Sequence, residues 1–380
     1  MRILYLDPFH GGSHAAVAEG FARHSRHDVT LLTLSIAGGW RWRMRGAAVT
    51  LARMLRERAQ ERYDLIVATD MLDLATFLGL TRELTSGTPV ALYMHENQLT
   101  YPLPPGRTRD LAFPWINYTS ALAADALLFN SAFHRRAFLE ALPGLPGRYH
   151  DHRELDLIDA IASKSVVLYP GVDLARLDEG GSGADRPASE AQPAPVLLWN
   201  SRWEYDKGPE TFFGALRELE ARGVDFRLIV AGEAIDPQAP AFAAARAEFA
   251  PRTVHWGYVP DLESYRRLLH QADIVVSAAI QEFFGIAVIE AMYCGCVPLL
   301  PRRLSYPELL PADYHPVCLY ETDADLADRL ADLIANLGQI RPRLAVRDVA
   351  AQYDWARMAA RYDAVFERVA AGEVPDDMVQ

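Results

Sequence analysis

Glu282 and Glu290 stand eight residues apart around Phe283-Phe284-Gly285-Ile286, between a β-type run, Asp273 to Ser277, and a helix-like segment from Ala287 to Tyr293. A strand that ends in a short loop and turns into a helix leaves backbone N–H groups pointing at open space, a natural site for a phosphate. Gly285 has no Cβ, so a ligand can approach the backbone there. Glu290 follows Glu282 by about two helical turns, on the same side of the axis. Carboxylates bind phosphates poorly and sugar hydroxyls well. The pattern therefore describes a ligand with hydroxyls at both ends and a diphosphate between, as in a nucleotide sugar. Two solvated glutamates near a helix start would give the same spacing, so the neighbouring residues must decide.

Those neighbours lie after another strand, Val196 to Asn200. Arg202 and Lys207 put two cations at its junction with a helix running from Glu210 to Ala221, where a diphosphate would gain from both. Only two lysines occur, Lys164 and Lys207, against 36 arginines, so Lys207 marks a place where a compact point charge is wanted. Further strands, Phe226 to Ala231 and Val254 to Val259, bring Gly232 and Tyr258 into the expected donor-binding set. The first half repeats the alternation. The strand Arg2 to Asp7 runs into Gly11-Gly12-Ser13 and a helix from Ala15, the opening of a nucleotide-binding α/β domain. It lacks a G-x-G-x-x-G fingerprint, and no acid ends the next strand, Asp28 to Leu34, which disfavours a dinucleotide dehydrogenase. His10 and His14 straddle the glycine turn and read as polar loop residues. Later strands (Leu65 to Thr69, Pro89 to Met94, Ala126 to Phe129) end in Asp70, in His95-Glu96-Asn97-Gln98 and in Asn130-Ser131. In an open parallel sheet these polar clusters land on one rim, where ligands bind. Helix capping alone would also explain Asn130-Ser131.

Composition narrows the function. The chain has 380 residues, half of them hydrophobic, enough for two domains of ordinary size. No apolar run is long enough to span a bilayer, and Met1-Arg2-Ile3 opens no secretory leader, so a cytoplasmic protein without a membrane partner is expected. Cys294, Cys296 and Cys318 describe no disulfide framework. The net charge of −12 argues against a protein that coats nucleic acid. The excess is uneven: residues through Leu174 hold 18 basic and 18 acidic groups, and the remainder holds 20 and 32. An anionic macromolecule is tolerated by the first half only. There, Trp40-Arg41-Trp42-Arg43 alternates aromatic and guanidinium groups that can stack on bases and pair with phosphates. Equally, the tryptophans could pack inward while the arginines snorkel outward.

Arg202, Lys207-Gly208 and the Glu282/Glu290 pair together resemble retaining glycosyltransferases of the GT-B type that use nucleotide sugars. Further blocks narrow the resemblance: Phe9-His10-Gly11-Gly12-Ser13-His14, Trp40 to Arg43, His95 to Pro102, Phe129-Asn130-Ser131, Leu198 to Glu204, Glu282 to Gly285 and Tyr293 to Cys296. They are similar to those of the tRNA-queuosine α-mannosyltransferase family. Ser201, Gly208 and Gln281 depart from its pattern, which would place His, Asn and His there.

The resemblance implies transfer of mannose from GDP-mannose to the cyclopentenediol of queuosine, at the wobble position of an aspartate tRNA, with neither a metal nor another cofactor. Glu282, Arg202, Lys207 and His95 would be catalytic. Gly11, Gly12, Ser13, Asn130, Gly232, Tyr258, Phe284, Gly285, Ile286 and Glu290 would join Arg202 and Lys207 around the donor. Trp40, Arg41, Trp42, Arg43, Glu96 and Asn97 would meet the acceptor. The expected fold is α/β, two doubly wound Rossmann-like domains facing across a cleft, in a monomer or weak dimer. The boundaries read as an acceptor-side domain over 1–177, a flexible linker over 178–195, a nucleotide-sugar domain over 196–350, and a C-terminal helix with a disordered polar tail over 351–380. That helix would pack back on the first domain. Two rival readings keep the scaffold: a glycosyltransferase for a lipid or small-molecule acceptor, and a non-catalytic nucleotide- or RNA-binding module.

Overall fold

A computed structural model describes residues 1–58, 60–104, 106–178, 194–234 and 240–377. They form two compact units: Met1–Asp173 with the C-terminal segment from Tyr353, and Leu174–Gln352. The linker expected over 178–195 lies, except for its end residues, outside the described part.

In the first unit β1 (Arg2–His10), α1 (Gly12–His24), β2 (Asp28–Ser35), α2 (Trp40–Arg56), β3 (Leu65–Thr69) and α3 (Leu74–Thr85) alternate. Next come β4 (Val90–Met94), α4 (Ala112–Ala123), β5 (Ala126–Phe129), α5 (Ala132–Ala141), α6 (Leu157–Ser163) and β6 (Ser165–Val167). The six strands are all parallel, in the order β2-β1-β3-β4-β5-β6. Strands β3, β4 and β5 are buried from end to end, because helices cover both faces and leave no side for polar alternation.

The second unit runs β7 (Val196–Asn200), α7 (Pro209–Ala221), β8 (Arg227–Ala231), α8 (Pro240–Glu248), β9 (Thr253–Gly257) and α9 (Leu262–Gln271). It continues through β10 (Ile274–Val276), α10 (Ile286–Tyr293), β11 (Val297–Pro301), α11 (His315–Cys318), β12 (Leu319–Tyr320), α12 (Leu326–Ile340) and α13 (Val346–Ala351). Its parallel sheet has the order β12-β11-β10-β7-β8-β9. Each sheet thus reverses direction once, between β1 and β3 and between β7 and β10, and at such reversals the loops leaving the strand ends part to admit a ligand.

The last helix, α14 (Trp355–Ala370), belongs to the first unit. Trp355, Met358, Tyr362, Phe366 and Val369 form its buried stripe at helical spacing, and Asp354 caps its start by accepting from the Ala356 N–H. Tyr362 packs 5.5 Å from Phe21 of α1 and donates to the Tyr93 hydroxyl of β4 at 3.2 Å. The polar tail was expected to be disordered, yet over 371–377 it is tied down. Asp377 accepts from the Val167 N–H on the open edge of β6 at 2.8 Å, a donor that no neighbouring strand reaches.

Two glycines make room for Trp355. A Cβ on Gly20, in the middle of α1, would lie 2.0 Å from its indole nitrogen, and one on Gly171 would lie 2.4 Å from its ring. Gly20→Ala should therefore destabilise the protein by about 1–3 kcal/mol through overpacking, even though alanine favours a helix by about 1 kcal/mol over glycine. Urea unfolding of the variant against the parent measures the sign.

Candidate active site

At the reversal of the second sheet, the loops that follow β7 and β10 touch backbone to backbone. The carbonyl of Asp206 accepts from the N–H groups of Ile280 and Gln281 at 2.8 and 3.1 Å. Gly208 is left-handed (φ 69°), and a Cβ there would sit 2.1 Å from the Ala278 carbonyl oxygen, so only glycine fits this join. The join holds Lys207 in a buried position. Its Nζ donates to the Gln281 carbonyl at 2.9 Å and lies 3.4 Å from both Glu282 Oε2 and Asp206 Oδ2. Burial works against the charged form, but the Glu282 and Asp206 carboxylates outweigh it and raise the lysine pKa. Lys207 and Glu282, predicted separately from the sequence, are thus in contact. Arg202 is half-exposed on the same loop and pairs with Glu204 at 3.1 Å. Burial pushes the Glu204 carboxyl up.

Glu282 folds back on its own loop. Its Oε1 accepts from the N–H groups of Phe283 and Phe284 at 3.2 and 3.5 Å. The Phe284 amide, expected at the diphosphate, thus faces a carboxylate of its own loop. Gly285 turns the chain into α10 with φ 107°, and the helix has neither a side-chain cap nor an acid in its first turn. Its N-terminal end, from Ile286, therefore keeps the positive pole of the helix. Two turns on, Glu290 is buried, which rules out a pair of solvated glutamates. Its Oε1 accepts from Arg176 at 2.5 Å and its Oε2 from the Tyr265 hydroxyl at 2.7 Å. Burial first, then Glu290, raise that phenol well above its ordinary value. Asn200, at the end of β7, donates to the Tyr265 oxygen and to the Ala287 carbonyl.

Two expected donor residues stand apart. Gly232 follows β8 with φ 152°, and a Cβ there would meet the Ser201 carbonyl oxygen at 2.0 Å, so its missing side chain serves packing of the β7 loop. Tyr258 follows the edge strand β9, two strands from the reversal, and is 64% exposed.

The first unit gathers imidazoles and carboxylates at its own reversal. Asp7, buried near the end of β1, lies 2.9 Å from His10 Nδ1 and 3.4 Å from His14 Nδ1. Burial alone would raise its pKa, but hydrogen bonding to His10 and His14 holds it well below the usual carboxylate range. His14 stacks on His95 at 4.0 Å. Burial opposes charge on His14, yet Asp7 raises its pKa; on His95 burial and the charge of His14 act together and push the pKa far down. Charge is thus favoured on His14 over His95, and the buried Nε2 of His95 is unbonded. Asp70, at the end of β3, accepts from the His95 N–H at 2.8 Å. Gly11 is extended, with Ile36 packed where a Cβ would stand, and Gly12 is left-handed (φ 54°) over open space. Ser13 is exposed on the first turn of α1.

Four residues expected at the ligands, Asn130, Asn97, Trp40 and Glu96, make contacts within the protein. Asn130 donates to the His95 carbonyl at 2.8 Å and bonds His134 Nδ1 at 2.8 Å through its Oδ1, so both ends of its amide position neighbours. Asn97 is buried and folds the following turn, its Oδ1 accepting from the N–H groups of Leu99 and Thr100. Trp40 packs against Phe113 at 4.9 Å, whereas Trp42 is 61% exposed; inward packing and outward display are thus divided between the two rings. Glu96 accepts from Gln98 at 2.6 Å. Sequence reasoning passed over Asp7, His14, His134, Arg176 and Tyr265 as site residues. A charged residue closing an otherwise apolar strand was the available signal for Asp7; for Arg176 and Tyr265 there was none.

Burial pushes the Asp70 carboxyl up to about 7, with Glu96 adding to the shift and His14 and the His95 N–H opposing it. The folded state therefore keeps a proton that the unfolded chain releases near pH 4. This stabilisation is complete below about pH 4 and is lost as pH rises to about 7, a change on the order of a few kcal/mol. Asp70→Asn keeps the acceptor for His95 and removes the titration, so its thermal midpoint should fall less than the parent's between pH 4 and 7.

Comparison with known proteins places this geometry. Residues 2–172 match the profile described as tRNA-queuosine alpha-mannosyltransferase N-terminal, and residues 184–345 match glycosyl transferases group 1. A tRNA-queuosine alpha-mannosyltransferase of Drosophila melanogaster is 32% identical over 87% of this chain and 86% of its own length. A GDP-mannose-dependent alpha-(1-6)-phosphatidylinositol dimannoside mannosyltransferase of Mycobacterium tuberculosis is 26% identical over 85% of this chain and 77% of its own. In Komagataeibacter xylinus, a GDP-mannose:cellobiosyl-diphosphopolyprenol alpha-mannosyltransferase is 25% identical over 92% and 96%. Among solved structures, sucrose-phosphate synthase of Thermosynechococcus elongatus shares the fold (TM-score 0.72, 16% identity, 98% of this chain and 100% of that one). So does Anabaena HepE, solved with UDP and glucose (TM-score 0.67, 16% identity, 97% and 99%). A buried lysine and a helix start at the reversal of a GT-B sheet accord with these matches: the chain is a mannosyltransferase and belongs to the tRNA-queuosine alpha-mannosyltransferase family.

Proposed function

We propose that this chain transfers mannose, with retention of configuration, from GDP-mannose to the cyclopentenediol of queuosine at the wobble position of an aspartate tRNA in the cytoplasm. One observation carries the reading. A buried ammonium, Lys207, and the uncapped start of α10 flank Glu282 at the reversal of the second sheet, where a sugar diphosphate needs them. The donor nucleotide follows the names of the Mycobacterium and Komagataeibacter relatives, and the acceptor follows that of the Drosophila relative.

The leaving group is a nucleoside diphosphate, whose charge grows as the bond from the sugar C1 to the phosphate oxygen breaks. Lys207, Arg202 and the N–H groups at Gly285 and Ile286 are assigned to that charge, where preorganised donors act most strongly. Glu282 has acceptor capacity beyond its loop bonds and takes sugar hydroxyls; Glu290 takes the ribose. The acceptor oxygen adds to C1 on the face that the phosphate leaves, and its proton passes to the departing phosphate, so no protein nucleophile is needed. His95, held uncharged by burial and with an unbonded buried nitrogen, is assigned to a sugar or acceptor hydroxyl.

The test is mass spectrometry of tRNA nucleosides after incubation with GDP-mannose and queuosine-containing tRNA. Queuosine should gain one hexose, also in excess EDTA, because the chain supplies its own cations. Lys207→Met and Glu290→Gln should each lower transfer roughly 10²–10³-fold while thermal unfolding stays cooperative. Near-normal turnover by either variant would remove the donor assignment. A hexose delivered to lipid, with none on tRNA, would remove the acceptor.

A further inference from the structure

We infer that the outer face of α2 is an RNA-backbone docking ridge, which leads phosphates toward the polar rim of the first unit. The inference rests on the RNA acceptor proposed above and extends it to a surface lying mostly beyond the tryptophan–arginine motif. From Trp40 to Arg56 the helix carries five arginines and no acid, in a chain whose net charge is −12. Its apolar side, Met44, Ala47, Ala48, Leu51, Ala52 and Leu55, is buried. The opposite side sets Arg41, Arg45, Val49 and Arg53 four residues apart on one exposed line.

Neither Arg41 nor Arg53 has a carboxylate partner among the described residues. Arg41 lies 4.4 Å from the Trp40 ring, and Arg45 pairs with the exposed Asp110 at 2.6 Å, a bond of the kind that solvent weakens. Arg43 is not on this line; it turns back to the Ser35 and Ala37 carbonyls. Beside the line, the exposed Trp42 ring lies against Gly46, where a Cβ would come within 3.0 Å of it. The absence of a side chain at Gly46 lets the ring lie along the helix, an arrangement suited to stacking.

The ridge spans about 18 Å at 1.5 Å per residue, over which one nucleic-acid strand presents about five phosphates. Its upper end reaches the site through packed rings. Trp40 joins Phe9 in one apolar cluster with Met44 and Phe113; Phe9 lies 5.9 Å from His14, and His14 stacks on His95. RNA bound along the ridge is therefore guided to the rim that carries His95. A lipid surface is a poorer match, since the apolar side of the helix is spent in the core and only Trp42 and Val49 remain outside.

The test uses a labelled anticodon stem–loop RNA without queuosine, so binding is read independently of sugar transfer. Fluorescence anisotropy is followed from low to high salt. The triple variant Arg41→Ala/Arg45→Ala/Arg53→Ala should reduce the slope of log affinity against log salt by about 2–3, and weaken binding at least roughly tenfold. The corresponding triple lysine variant should restore the slope. Trp42→Ala should weaken binding roughly tenfold with little change in slope, and Trp42→Phe should recover most of it. All these positions are exposed, and unchanged thermal midpoints exclude misfolding. An unaltered slope and affinity in the triple alanine variant would overturn the ridge. So would loss of binding to phosphatidylserine vesicles with RNA binding intact. If the slope falls as expected but wild-type protein leaves queuosine unmodified, the acceptor assignment fails and the ridge stands.

Discussion

An ammonium group taken out of water must be repaid by oxygen ligands, and Lys207 shows what that requirement imposes on a fold. Burying an unpaired charge would cost several kcal/mol. Its partners come from two chain segments far apart in sequence: Asp206 beside it, and Gln281 and Glu282 on the loop after β10. Bringing those loops together forces the left-handed Gly208 against the Ala278 carbonyl and fixes the path of 280–285. That path aims the start of α10 and places Glu282, so the position of the helix pole and of one carboxylate follows from pairing one cation. Glu290 is then carried by the helix into a buried network of its own, with Tyr265 and Arg176.

The first unit meets the same architectural opportunity with different chemistry. There the carboxylate of Asp7 is the buried charge, and it is shared by two imidazoles. Two charged rings stacked at 4.0 Å would repel strongly in a desolvated site. Asp7 raises the pKa of His14 while burial and His14 suppress ionisation of His95, so the two stacked rings are shifted in opposite directions. A neutral imidazole with an unbonded nitrogen is suited to an alcohol, and a paired lysine to a phosphate. Each sheet reversal thus gathers its own buried charge, Asp7 in the first unit and Lys207 in the second.

Small residues set the fit of large ones throughout. Gly20 and Gly171 enclose the Trp355 indole and so fasten α14 to the first unit, which the chain rejoins after completing the second. At Gly46 the same absence of a side chain acts at the surface, where it accommodates the Trp42 ring on an arginine-bearing helix.

Local pattern was enough to place most strands, because apolar runs as short as Leu65–Thr69 and Ala126–Phe129 suit strands buried on both faces better than helices. It also singled out Lys207, Glu282 and His95 from loops that follow strands, and Glu290 from the helix after Gly285. The two-residue strand β12 left no usable period. Which polar groups face a ligand and which are consumed inside the protein depended on contacts between distant segments. The amides of Asn130 and Asn97, expected at the ligands, bond to neighbours within the protein. Arg176 and Tyr265 look unremarkable but converge on Glu290. The sequence by itself determined the elements and the chemical inventory at their ends, because periodicity and turn chemistry are local. Tertiary structure alone decided pairing, burial and protonation, because those depend on how far one group lies from another after the chain has folded.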